Sequence, residues 1–237
     1  MVKAASLFSQ LLHHVCRLEF QQLVIRHEAE RGAKGFASWT QFVAMLFCHM
    51  AHADSLREIC GGLSCCLGKL KHLGIAKSPN KSTLAYANEH RPAAMYEELF
   101  WTLTNRFRQN SGLGSRKKKF RFKNKLVSLD ASVIDLSLSL FNWAQFRRTK
   151  GAIKLHLLLD HDGYLPSFAV VTTGKTSDIK VARRLRFERG TVVVMDRGYI
   201  DYEWFVQLTH QGVYFVTRLK DNASFEVVEN RPVPWGG

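Results

Sequence analysis

The sequence has no apolar run long enough to cross a bilayer. Its longest ones, such as FVAMLFCHMA from Phe42, stop well short of the ~18–20 residues a spanning helix needs. The opening MVKAASLFSQLLHHVCRLEF has neither an unbroken apolar core nor a small-residue cleavage site, so it does not read as a secretory signal. No CxxC pair occurs among the five cysteines, Cys16, Cys48, Cys60, Cys65 and Cys66. A zinc set drawn from Cys48, His52, Cys60 and Cys65 therefore lacks its usual spacing, and buried free thiols are the expectation. Internal repeats and low-complexity tracts are absent. No basic amphipathic helix stands apart from the rest, which disfavours a membrane surface as partner. The expected home is a reducing cytoplasm.

Acidic residues are scarce. Twenty Asp and Glu face 34 Lys and Arg, a formal charge of +14. A surplus of that size favours an anionic partner, and a polyphosphate backbone is the commonest one. The hydrophobic fraction of 46% excludes a disordered chain. The length of 237 residues suits one large domain, or a medium one with a smaller companion.

Two halves with different periodicity follow. Residues 1–110 read as helical throughout. Ser38 is placed to cap a helix carrying Trp39, Phe42, Val43, Leu46 and Phe47 inward. Asp54 or Ser55 is placed to cap a second, with Gly61-Gly62 expected to end it. A third short helix is expected over Leu63–Leu73, closed by Gly74. A helix from about Lys81 to His90 and one opened by Pro92 complete the set. Short helices on tight turns suit a helix-turn-helix type DNA reader as well as a plain bundle. The polar residues Lys81, Ser82, Thr83 and Asn88 tilt the reading toward DNA contact.

A basic linker spans 111–125. Within it RKKKFRFKNK holds seven basic residues in ten, with Phe120 and Phe122 interleaved. A charge run is usually a solvated loop. Here it directly precedes an aspartate-bearing strand, so Lys117, Lys118, Lys119, Arg121 and Lys123 are expected to contact nucleic-acid phosphate.

From Leu126 the pattern is of strands. LVSLDASVID is one, IKLHLLLD from Ile153 a second, and Leu165–Thr172 pairs back through the Asp162-Gly163 turn. A helix capped by Ser177 or Asp178 is expected to run to about Phe187. Thr191–Met195, a helix over Asp201–Gln211 and a strand over Val213–Leu219 form a strand-helix-strand unit, whose strands should be parallel. An antiparallel meander, a helix and parallel strands match the ribonuclease-H-like order. The fold class is therefore α/β, a mixed-sheet core over 126–237 preceded by an all-helical domain over 1–110.

Two of these strands deliver an aspartate. Asp130 lies on the first with Ser128 and Ser132 on its face, and Asp196 ends VVVMD before Arg197-Gly198. A carboxylate on an apolar strand must be solvated, paired or metal-bound. If the strands are neighbours, two facing carboxylates repel, and a divalent cation offsets that. Oxygen ligands and a phosphate substrate suit Mg2+ or Mn2+. Most strand-end aspartates are turn or helix caps, and Asp135, Asp160, Asp162, Asp178 and Asp201 are read that way. Lys154 and His156 share one strand face and are candidate phosphate contacts, with an ordinary solvent face as the alternative.

The segments LVSLDASVIDLSLSLF, KGAIKLHLLLDHDGYLP and VVVMDRGYIDYEWF resemble successive core segments of bacterial DDE transposases of the insertion-sequence-four family. KSTLAYANEHR resembles part of their helical front end. The resemblance implies DNA transposition and recombination by a core that nicks and joins element ends, with Mg2+ held by two Asp and one Glu. Asp130 and Asp196 match the first two positions, as catalytic residues and metal ligands. Arg197 and Tyr199 belong to the second motif, and the resemblance implies that they position DNA or the loop. It also implies a homodimer on the terminal inverted repeats. The family's third carboxylate sits in a segment with Tyr, Arg, Glu and Lys at set spacings, which is not found before Gly237. Glu203, Glu226 and Glu229 do not match it. The expectation is a transposase truncated before that residue. The alternative is an inactive truncated form that acts only as a DNA-binding or inhibitory module.

Overall fold

The computed structural model describes residues 7–66, 68–110, 122–136, 145–147, 150–221, 223–224, 226 and 229. Lys117, Lys118, Lys119 and Arg121 lie outside the described residues. The chain divides into two compact units, Met1–Phe107 and Arg108–Gly237.

The first unit is helical: α1 (Leu7–His13), α2 (Arg17–Arg26), α3 (Ser38–Ala51), α4 (Leu56–Cys65), α5 (Lys81–His90) and α6 (Ala93–Asn110), with a 3-10 turn at Leu70–Leu73. Helix α3 serves two clusters. Trp39 and Val43 pack with Phe20, Leu23, Val24, Met95 and Leu99, while Ala44 packs with Ile59, Leu63 and Leu84. Each Val, Leu, Ile, Phe or Met side chain among them contributes roughly 1.5–3 kcal/mol on removal from water, before ordering costs. Polar ties fix the arrangement. Trp39 Nε1 donates to the Leu73 carbonyl at 2.9 Å, and the Arg17 guanidinium lies 4.0 Å above the same indole ring.

Several expectations about this half need correction. Ser38 is the first helical residue of α3 rather than its cap, and its backbone N–H is taken by the Glu30 carboxylate. Gly61-Gly62 does not end α4, which runs on to Cys65. A Cβ at Gly62 would stand 2.8 Å from Phe47 Cε1, so that glycine admits an aromatic ring against the helix. Asn88 is held inside the unit, accepting from Gln41 Nε2 at 2.7 Å and donating to Met45 Sδ. Two expectations hold locally. Ser55 caps α4 by accepting from Glu58 N, while Glu58 accepts from Asp54 N in return. Gly74 closes the 3-10 turn at φ 73°, which only glycine adopts cheaply. The cysteines are less buried than expected, since Cys16 and Cys65 are exposed.

Among its described residues the second unit is a six-stranded mixed sheet with helices: β1 (Leu126–Leu136), β2 (Gln145–Arg147), β3 (Lys150–Asp160), β4 (Leu165–Thr173), α7 (Asp178–Ala182), β5 (Val192–Met195), α8 (Tyr202–His210) and β6 (Tyr214–Val216). The sheet order is β2-β3-β1-β5-β6, and β4 also pairs with β3. Strands β1, β3 and β4 are antiparallel, whereas β1, β5 and β6 are parallel. This is the mixed, ribonuclease-H-like order. One face carries Val127, Leu129, Leu158, Val193 and Met195, covered by Ala182, Trp204 and Leu208. Helix α7 stops at Ala182, shorter than its expected end near Phe187.

Candidate active site

Strand β1 pairs with β5 in parallel, and the last rung joins Leu129 to Met195. The next residue on each strand is an aspartate. Leu129 and Met195 point into the core, so alternation turns Asp130 and Asp196 together to the opposite face. Both are exposed. Neither is ion-paired among the described residues.

The turn after β5 is built around Asp196. Its Oδ1 accepts from Gly198 N at 2.9 Å, which caps the 3-10 turn Arg197–Tyr199. A Cβ at Gly198 would lie 3.0 Å from that same oxygen, so glycine lets the backbone close on the carboxylate. Thr217 Oγ1 donates to the Asp196 carbonyl at 3.1 Å and ties the exit of β6 to the turn. On β1, Ser128 Oγ shares a 2.7 Å hydrogen bond with His161 Nε2, on the same face as Asp130.

Lys154 and His156 do not join this pair. Asp130 stands opposite Leu157, so the flanking positions of β3 project to the other face. His156 is 0% exposed, and its Nε2 contacts Thr172 Oγ1 at 2.9 Å. Burial pushes its imidazole below the ordinary value, against the pull of Asp178 and with the push of Lys154. Lys154 Nζ is spent on Asp178 Oδ1 at 2.9 Å and on the Thr176 carbonyl at 3.0 Å. The expectation that these two bind phosphate is therefore corrected: one is sealed in the core and the other is paired. Tyr199, read as positioning DNA or the loop, is 1% exposed, which leaves it the loop and not direct DNA contact. Burial, then Asp178, Asp130 and Asp196, push its phenol far up, and its hydroxyl has no partner among the described residues.

Of the remaining candidates, Arg197 is half-exposed and pairs with Asp221 at 2.7 Å. Lys123 is exposed. The role of Asp178 was missed in the sequence, where it reads as a helix cap. It instead anchors Lys154 and lies 3.8 Å from His156 Nδ1. The spacing of Lys154 and His156 on one strand face was the available signal for a shared partner. Asp201 does cap α8, accepting from Trp204 N at 2.8 Å. Arg183 binds both Asp201 and Glu203, which removes Glu203 from the carboxylate pair.

Two exposed, cation-free carboxylates side by side suit a hard divalent ion that keeps waters and takes further oxygens from phosphate. Among the described residues no group of three or more His, Cys, Asp or Glu side chains is placed to hold a metal. No helix among them is long and apolar enough to cross a membrane.

Residues 121–233 match the family described as "Transposase DDE domain", and residues 3–76 match "Domain of unknown function (DUF4372)". The chain is 29% identical over 156 residues to "Putative transposase y4zB" of Sinorhizobium fredii (strain NBRC 101917 / NGR234). That alignment covers 66% of this chain and 42% of the relative, so the match spans under half of the relative's length. Residues 121–233 are thus similar to a transposase DDE domain, and the chain is similar to transposases.

Proposed function

We propose that this chain binds DNA and contributes two carboxylates, Asp130 and Asp196, to metal-dependent strand cleavage and transfer in DNA transposition, within the insertion-sequence-four type of DDE transposase. One observation carries the reading: the Leu129–Met195 rung makes the two aspartates neighbours on one face. Asp130 and Asp196 would hold a divalent ion there, whose chemistry would be Lewis-acid activation of water and phosphate. The chain's own residues orient that chemistry. Gly198 N fixes one Asp196 oxygen, and Thr217 holds the turn that carries it. Lys123 and Arg197 are the described basic residues read as phosphate contacts, together with the basic run at 117–121.

The resemblance implies a third acidic ligand on the face that bears Asp130 and Asp196. Val171, Tyr214, Val216 and Ile134 are exposed on that face. A bare apolar sheet face is normally covered in the working protein. A second reading is a DNA-binding module without catalysis, which the formal charge of +14 supports by itself. Both readings predict duplex DNA binding with a steep salt dependence. Only the first predicts that Mg2+ or Mn2+ binds the chain and that Asp130→Asn or Asp196→Asn abolishes it. Calorimetric titration of the ion decides between them. Equal ion affinity in wild type and both variants would exclude the catalytic reading.

A further inference from the structure

The helical unit contains a cavity of about 720 Å3 between the 28–36 loop and α5. That volume falls in the roughly 300–1,000 Å3 range of small-molecule sites. Its wall includes Arg31, Lys34, Ser82, Tyr86, His90 and Arg91. The cations outnumber the one carboxylate there, Glu28, which is taken up by Arg31 at 2.9 Å. Arg91 donates to neutral partners, Gln41 Oε1 and the Phe36 carbonyl, and the Glu30 carboxylate acts on it only through space, with no ion pair among the described residues. Lys34 is exposed, with no ion pair among the described residues.

The aromatic pair gives this basic cavity a second character. The Tyr86 and His90 rings stack at 3.8 Å between centroids and 16° between planes. The pair is one helical turn apart, and His90 Nδ1 donates to the Tyr86 carbonyl at 2.9 Å, which fixes the imidazole. Tyr86 is nonetheless 65% exposed. A large ring held rigid on one face and open on the other contributes nothing to the core. It is preorganised to accept a third flat group at small ordering cost. Positive charge flanking an open aromatic platform is the chemistry of unpaired nucleotides. Their bases stack without regard to sequence while their phosphates meet the cations. Duplex bases are already stacked and cannot use such a platform.

We propose that this cavity is a subsite for an unpaired stretch of a nucleic-acid strand, with one base on the Tyr86–His90 stack and the adjoining phosphates against Lys34 and Arg91. The choice of nucleic acid as partner rests on the function proposed above; the site itself is independent of Asp130 and Asp196.

The test uses the full chain and a fluorescently labelled 12-nucleotide DNA, offered single-stranded, as a duplex, and in competition with free AMP. Tyr86→Ala should weaken single-strand binding about tenfold and leave duplex binding unchanged. Tyr86→Phe should bind as wild type. Far-UV circular dichroism checks that the exposed substitution leaves the helices intact. Equal loss on both DNA forms, no loss on either, or no single-strand binding by wild type would overturn the proposal. AMP competing as tightly as the strand would overturn it in favour of a free-nucleotide pocket. The same assay on Asp130→Asn separates the two readings, since the catalytic one can fail there while strand binding persists.

Discussion

Asp130 and Asp196 each stand one residue past the Leu129–Met195 rung that joins two parallel strands. That relationship is set by backbone register, so it does not depend on rotamers. It brings two carboxylate-bearing residues side by side, with no cation paired to either among the described residues. At ~4 Å such a pair repels by about 1 kcal/mol in bulk water and more at lower effective dielectric. Neutralising either one should therefore raise metal-free stability, by up to about 1 kcal/mol. We expect Asp130→Asn and Asp196→Asn to unfold at higher urea than wild type in chelator. Wild type alone should gain stability on adding Mg2+. Urea titrations with and without the ion check both halves, and a variant that keeps the Mg2+ effect contradicts the site.

Part of the pair was legible in the sequence, because strand alternation puts Val127, Leu129 and Met195 on a core face and turns the aspartates to the other. That β1 and β5 are neighbours was not, since the strand-helix-strand unit sets only β5 beside β6. The placing of Lys154 and His156 was not legible. Periodicity shows that they share a face, but which face depends on pairing register, and one residue decides it. Gly61-Gly62 misled for a similar reason. Local propensity reads a glycine pair as a helix end, while the Phe47 ring that needs Gly62 lies on another helix.

That packing yields a paired test. Gly61 has nothing within 4 Å of its would-be Cβ, so Gly61→Ala should stabilise α4 by roughly 0.5–1 kcal/mol. Gly62→Ala meets Phe47 at 2.8 and 2.9 Å, and should cost about 1–3 kcal/mol through overpacking. Chemical denaturation of the two variants should move in opposite directions. A stabilising Gly62→Ala would mean that the ring yields freely.

His156 makes stability depend on pH. Its folded pKa lies below the ordinary 6.5, chiefly through burial. The unfolded chain then binds a proton more readily than the folded one. The contribution is fully present above about pH 6.5 and is lost as pH falls toward the folded value. Unfolding free energy should drop on acidification from pH 7.5 to 5.5. The ring titration followed by NMR gives the direct check, with a midpoint below 6.5 expected. A midpoint above 6.5 would mean that Asp178, 3.8 Å from Nδ1, outweighs burial.

Tyr199 separates what its ring does from what its hydroxyl does. The ring belongs to the cluster formed by Met195, Trp204 and Leu208, directly beneath the turn that presents Asp196. Removing it should open a cavity and cost about 3–5 kcal/mol in Tyr199→Ala. The hydroxyl has no partner among the described residues and is buried among carboxylate fields. An unsatisfied buried hydroxyl is a cost, so Tyr199→Phe should leave stability unchanged or raise it. Denaturation of the two variants measures this. A loss above about 1 kcal/mol in Tyr199→Phe would show that the hydroxyl has an acceptor after all, such as a buried water. In that case the phenol supports the Asp196 turn through hydrogen bonding as well as bulk, and Tyr199→Phe should also weaken the Mg2+ response. If stability is unchanged, packing alone holds the turn, and the Mg2+ response of Tyr199→Phe should match wild type.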